Sequence, residues 1–280
     1  MITPLSLGLA QEMQAGQGHL RLIFRSQRKN DRLDAERLAK LLYLGEVPAV
    51  HVPSPRVRAW RWTAAHRSRL VARRTRAKNG LRALLRHCGL TADRGLWTAR
   101  GRRWLRELEL PSPSEDLRRN MLLEEVDLAD RQVRLVQAHL DEVAREHPGV
   151  ALLRTIPGVG ARTAEAVLAS IDDPRRFAGA KAIGSYFGLV PSQDASGAVN
   201  RLGHITRRGP GMVRHLLTEA AWHGTRRSAR IRAYFQRIQR GDPERRKIAL
   251  VATAHYLARV MHVMLRTGEA WRETGAVVNA

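Results

Sequence analysis

Leu153-Arg154-Thr155-Ile156-Pro157-Gly158-Val159-Gly160-Ala161-Arg162-Thr163-Ala164-Glu165-Ala166-Val167-Leu168 is the stretch on which the reading of this chain turns. A short apolar helix runs into a Gly-x-Gly turn, and a second helix follows with Ala164, Val167 and Leu168 on its inner face. The glycines permit a tight turn and close backbone approach. The amides that open the second helix have no acceptor within it and can hold a phosphate. The pattern reads as a helix-hairpin-helix, which grips nucleic-acid backbone rather than bases. Pro157, Gly158, Val159, Gly160, Arg162 and Thr163 are its candidate contacts. The plainer alternative is a helical hairpin that serves packing alone.

The charge of the chain points the same way. Lys and Arg total 49 against 26 Asp and Glu, a formal net charge of +23 with a pI near 11.6. A field of that sign attracts polyanions and selects a nucleic-acid partner. Only five of the basic residues are Lys. Arg forks suit phosphates and guanine edges, but the codons of a GC-rich genome explain the ratio equally well. Between His66 and Arg106 there are 13 Lys/Arg and one acid, and between Arg201 and Lys247 there are 13 against three. Arg201, Arg207 and Arg208 are candidate phosphate contacts in the second block. Its Trp222, Tyr234 and Phe235 read as core rather than as base-stacking groups.

Cys88 is the single cysteine, so neither an internal disulfide nor a Cys-based zinc site is available. The first residues lack the basic and apolar regions of a signal peptide. No apolar run reaches the ~18 residues of a spanning helix. These features lead us to expect a soluble cytoplasmic protein with no membrane partner.

Outward from the central stretch the chain reads as mainly α. Residues 1–30 have no clear period, although His19 to Phe24 fits one short strand. A helix is expected from Asp31 to about Leu44, with Leu38, Leu41 and Leu42 on its apolar face. Val47 to Pro55 reads as an extended connection. A basic helix then runs to about His87, with Leu70, Ala77, Leu81, Leu84 and Cys88 on one stripe. Pro111 to Ser114 is a break. Beyond it Leu122, Val126, Ala129, Val133, Val136, Leu140 and Val143 alternate at spacings of four and three. That 3.5-residue period marks a coiled coil or a long antiparallel helix pair. Dimerisation, an interdomain spacer and an ordinary bundle helix all fit it. His147-Pro148-Gly149 closes this helix, and the rest of the chain is mostly helical to about residue 272.

Two further places carry candidate chemistry. Asp31 and Asp34, three apart on a helix, share a side and could hold Mg²⁺ for phosphoryl transfer. Helix capping by Asp31 and a dipole contact from Asp34 would explain both equally. Ser196, followed by Gly197 and then by closely spaced Arg and His, is a candidate nucleophile, with Ser192 as the second choice. A serine hydroxyl needs a base or a metal to attack, and loop serines are more often turn formers.

Together these segments resemble one family, the "one-ten" family of insertion-sequence transposases. The resemblance runs from about Lys29 to about Arg272. It rests on Lys29-Asn30-Asp31-Arg32-Leu33-Asp34-Ala35, on Val52-Pro53-Ser54-Pro55 with the Arg-rich helix after it, and on Ile156 to Gly160. Gly188-Leu189-Val190-Pro191, Ser196-Gly197 and Gly203-His204-Ile205-Thr206-Arg207-Arg208-Gly209 complete it. The resemblance implies a RuvC-like DEDD domain followed by a serine transposase domain. It implies that Ser196 attacks a DNA phosphodiester, that Asp31 and Asp34 are the last two carboxylates of a Mg²⁺ site, and that a structured guide RNA and a homo-oligomer take part. About thirty residues precede Asp31, and no Gly-x-Asp strand stands among them; Asn30 also replaces the family's Thr. The expected organisation is therefore a truncated RuvC-like α/β remnant with its basic helix over 1–108, a coiled-coil linker over 109–148, and a helical transposase domain with the helix-hairpin-helix over 149–280. A non-catalytic DNA- or RNA-binding remnant is the alternative function.

Overall fold

A computed structural model of the chain describes residues 31–44, 51–91, 95–196 and 199–273. The short strand expected at His19 to Phe24 lies outside them. The chain divides into two compact units, Met1–Ser54 and Pro55–Ala280. Of the first, the described part is helix α1 (Asp31–Tyr43) and the segment 51–54.

The second unit is built on two long helices, α2 (Pro55–His87) and α4 (Pro113–Arg145). Proline occupies the first turn of each, where no intrahelical donor is lost. Glu115 and Asp116 in the first turn of α4 complement its dipole. The helices run antiparallel, as the cross-links between them record. Arg56 pairs with Glu146 at 2.7 Å, Arg67 donates to Gln137 at 3.1 Å, Arg74 pairs with Asp130 at 3.0 Å, and His87 lies 3.7 Å from Glu115. The residues of the 3.5-residue stripe lie in this seam: Val126, Ala129, Val133 and Leu140 are buried, and Leu122, Val136 and Val143 are half-buried. The partner of the stripe is thus α2 of the same chain, and no second copy is needed to cover it.

The pair ties together two apolar cores. At one end Ala77, Leu81, Leu84 and Leu85 of α2 pack with Leu123 and Val126 of α4, and with Leu96, Leu105 and Leu110 from the connection. That connection contains α3 (Ala99–Glu107), which Thr98 caps by accepting from the Gly101 amide at 3.2 Å. Arg102 and Arg106 of α3 pair with Asp127 at 2.6 and 2.9 Å.

At the other end Trp60 and Leu140 join a larger helical core. Its elements are α5 (Pro148–Leu153), α6 (Ala161–Ile171), α7 (Ala180–Tyr186), α8 (Gly211–Arg227), α9 (Ala229–Gln239) and α10 (Arg246–Thr267). By length and hydropathy α10 would suffice to cross a membrane, against the expectation that no apolar run is long enough. Half of that apolar window is buried, with Leu257, Ala258 and Met261 fully inside the core. The core-helix role explains the composition. Phe235 is buried and Tyr234 stacks on Tyr256 with ring centroids 4.5 Å apart, so these two aromatics belong to the core as expected.

Between α7 and α8 the chain forms an antiparallel hairpin of β1 (Pro191–Ser196) and β2 (Val199–Ile205), paired from Pro191↔Ile205 to Ser196↔Val199 with an irregularity between Pro191 and Gln193.

Leu81 is fully buried in the seam whereas Leu117 on α4 is 62% exposed. Leu81→Ala is expected to cost about 2–5 kcal/mol in chemical denaturation. Leu117→Ala should stay within about 0.5 kcal/mol of the parent.

Candidate nucleic-acid interface

The turn between α5 and α6 has two unlike sides. Ile156 and Val159 are buried beneath it, and the Val159 amide donates to the Ile156 carbonyl at 3.0 Å. Gly158 has φ +95°, and its inner side lies on the backbone of α8. A methyl at Gly158 would come within 2.5 Å of the Gly224 nitrogen and 2.7 Å of the Ala220 oxygen. Neither obstacle is a flexible side chain, so this glycine is required by packing as well as by the turn. Gly160 faces the other way. It is exposed, has open space around it and stands at the N-cap of α6 with no side chain capping the helix. The orphan donors of the first turn therefore open at the outer side.

The side chains expected to line this turn separate accordingly. Thr163 and Val159 are buried. Arg162 is turned inward, pairs with Asp141 of α4, and lies 2.9 Å from Glu165. Glu165 is 1% exposed and has no hydrogen bond to its Oε1. Burial pushes its carboxyl up from 4.5 to about 7, against the opposing pull of Arg162. Arg67, His215, Met212 and Leu140 line a small pocket beside this pair. Arg162 thus ties α4 to α6, while Gly160 and the adjacent amides keep the open side.

The β-hairpin is fixed at its base by a second close crossing. Gly188 (φ +64°) and Gly209 (φ +73°) lie where the segments before β1 and after β2 pass one another. A methyl on Gly188 would stand 2.3 Å from the Arg208 oxygen, and one on Gly209 would stand 2.1 Å from the Tyr186 oxygen. The Thr206 amide donates to Val190 at 2.9 Å and the Arg207 amide to Gly188 at 3.3 Å. Arg214, in the first turn of α8, gathers the crossing. Its Nη1 donates to the carbonyls of Phe187, Arg208 and Gly209 at 3.1, 2.7 and 3.1 Å. Ser196 pairs with Val199 at the far end, about 17 Å from the base at the rise of an antiparallel strand. The side chains of Ser196, Asp31 and Asp34 lie outside the description; Ser192 on β1 is exposed. Arg201, Arg207 and Arg208 are all exposed, and Arg207 has φ +54°.

Both features therefore hang on α8, the Gly158 turn near Gly224 and the hairpin base at Arg214, about 15 Å apart along the helix. Asp31 and Asp34 belong to α1, in the other unit. Sequence reasoning missed Arg214, the Arg162–Asp141 tie and both strands. The Gly-x pair at 197–198 was the available signal for a two-residue hairpin connection.

Comparison with known proteins gives this arrangement a family. A model described as the IS116/IS110/IS902 family of transposases matches residues 150–236, from α5 into α9. A DEDD transposase model matches residues 17–89. A probable family 20 transposase of Pseudomonas aeruginosa is 32% identical over 259 residues, covering 87% of this chain and 74% of the relative. The chain belongs to the IS116/IS110/IS902 transposase family. A putative transposase of Sinorhizobium fredii is 29% identical over 88% of this chain, and the transposase for insertion sequence element IS1111A of Coxiella burnetii is 31% identical over 78%. The chain spans 64% and 60% of the lengths of these two transposases.

The buried Glu165 carries a pH signature. A carboxyl whose folded pKa lies above its unfolded value keeps its proton longer when folded. Stability then falls as pH rises from about 4.5 through about 7. Glu165→Gln removes this titration, and denaturation midpoints at pH 5 and pH 8 should differ less in the variant than in the parent. An unchanged difference would place the proton elsewhere.

Proposed function

We propose that the chain acts in DNA transposition, binding DNA and breaking and rejoining it through Ser196. The single observation behind this reading is the hairpin. Ser196 stands at its far end, clear of the helical core, while Arg214 and the glycine crossing hold its base. The exposed Arg201, Arg207 and Arg208 supply cations along the same hairpin and its exit.

In this reading the open side of the Gly158–Gly160 turn acts as the phosphate grip of a helix-hairpin-helix. The first-turn amides of α6 hold a backbone phosphate, and Arg162 stiffens the platform from within. The Ser196 hydroxyl attacks a phosphodiester, forming one Ser–O–P bond and releasing one DNA hydroxyl, which takes up the proton lost by the serine. Energy conserved in that linkage lets the strand be rejoined to a new end. Arginine charges near the phosphate stabilise the negative charge that develops.

The metal expected for this reaction is Mg²⁺. Asp31 and Asp34 lie one turn apart on the same side of α1, which suits a hard cation that takes one or two carboxylates and completes its shell with phosphate oxygens and water. When bound, such an ion supplies Lewis-acid stabilisation of phosphate charge. A RuvC-like origin for the first unit, a structured guide RNA, a homo-oligomer and action in the cytoplasm complete the proposal; they rest on the family resemblance.

Trapping on labelled element-end DNA, with Mg²⁺ and the element's RNA, tests the nucleophile. The parent chain should give a denaturant-resistant DNA adduct, Ser196→Ala should give none, and Ser192→Ala should retain it. An adduct that survives Ser196→Ala, or no adduct from the parent, would overturn the assignment.

A further inference from the structure

Helix α2 carries a face that none of the preceding chemistry uses. At 100° per residue, Arg58, Trp62, His66, Arg69, Arg73 and Arg76 fall within about 80° of arc and extend over about 27 Å. Trp62 is 62% exposed. It stacks on His66 with ring centroids 5.2 Å apart and planes 3° from parallel. Arg69, Arg73 and Arg76 are exposed, and none makes an ion pair among the described residues. The contrast with the neighbouring face is sharp. Arg56 and Arg74 pair with acids of α4, Arg67 donates to Gln137, and Arg61 caps the carbonyl end of α6 through Ala169 and Ser170. The whole of α2 contains no acidic residue.

An indole left in water on such a strip is an exposed apolar plane with a fixed orientation, since His66 backs one side of it. Guanidinium groups follow it along the helix. That combination matches an unpaired base followed by its phosphates. Duplex nucleic acid offers no free base face except at its ends, so it would use the arginines and leave the indole idle. A second copy of this chain, itself carrying +23, would bring like charge to the strip.

We propose that this face of α2 is a docking strip for single-stranded nucleic acid, in which an unpaired base stacks on Trp62 and Arg69, Arg73 and Arg76 take the adjoining phosphates. The strip takes its partner class from the reading of the chain as a nucleic-acid-acting protein, but does not depend on Ser196 being the nucleophile. Two strand types present the same chemistry, a displaced DNA strand and an unpaired stretch of RNA.

The test is equilibrium binding of the full chain to a labelled single-stranded DNA, the matching single-stranded RNA and the same sequence as duplex DNA. Trp62→Ala should weaken binding to a single strand about tenfold, the scale of one lost base stack, and change duplex affinity less than about twofold. Trp62→Phe should keep most of the single-strand affinity. Replacing Arg69, Arg73 and Arg76 together by Ala should flatten the salt dependence of single-strand binding by about two charges, at ~0.7 per phosphate. A larger Trp62→Ala effect on DNA or on RNA supports the proposal and names the strand. Equal loss on single strand and duplex, no loss on either, or a drop in oligomeric mass in place of a binding change would overturn it. Because the readout is binding, Ser196→Ala serves as a control: it should bind single strands as the parent does, even if no adduct is ever trapped.

Discussion

At Gly188 and Gly209, and again at Gly158, one backbone rests on another with no room for a methyl group between them. The first contact closes the base of the β-hairpin; the second seats the α5–α6 turn on α8. Both bring carbonyls and amides into near contact, which a folded chain tolerates only where those groups are satisfied. Arg214 does so at the hairpin, where one guanidinium nitrogen serves three carbonyls. A two-stranded hairpin is marginal by itself in water. Its direction is therefore set at the base, and α8 becomes the common reference for the Ser196 hairpin and for the open amides at Gly160.

The long α2–α4 pair divides the charge of the chain by face. Acids of α4 neutralise Arg56 and Arg74 across the seam, and α3 adds Arg102 and Arg106 against Asp127. Exposed pairs of this kind contribute little stability each. Their larger consequence is subtraction: they remove cations from one side and leave Arg69, Arg73 and Arg76 as a strip on the other. The positive field expected from composition is thus resolved into surfaces, with the strip on α2 and the arginines of the hairpin as separate patches on one body.

Much of this was legible in the sequence. The helices at Asp31, Pro55 and Pro113 carry long apolar stripes, and prolines mark where several of them begin. The 3.5-residue period from Leu122 to Val143 announced a long helical seam, although period alone does not say whether the partner is the same chain. The strands were not legible because Pro191 to Ser196 is nearly all polar, so a hairpin clear of the core leaves no alternation to read. Arg162 misled for a related reason. Its position in the first turn of α6 suggests a phosphate contact, and only the packing of α4 turns it toward Asp141. Trp62 was invisible as a surface residue, since an indole next to Trp60 reads as core until one of the two is seen to be buried and the other exposed.

The claim that the hairpin base and the Gly158 turn are locked to α8 by backbone contact is tested most directly by native-state hydrogen exchange. The amides of Phe187, Leu189 and Thr206, with Val159 on the turn, should exchange as slowly as those in the buried part of α10, because they open only when the helical core does. Exchange of these four at the rate of an exposed loop, while α10 stays protected, would show that the crossing does not hold and that the hairpin has no fixed direction.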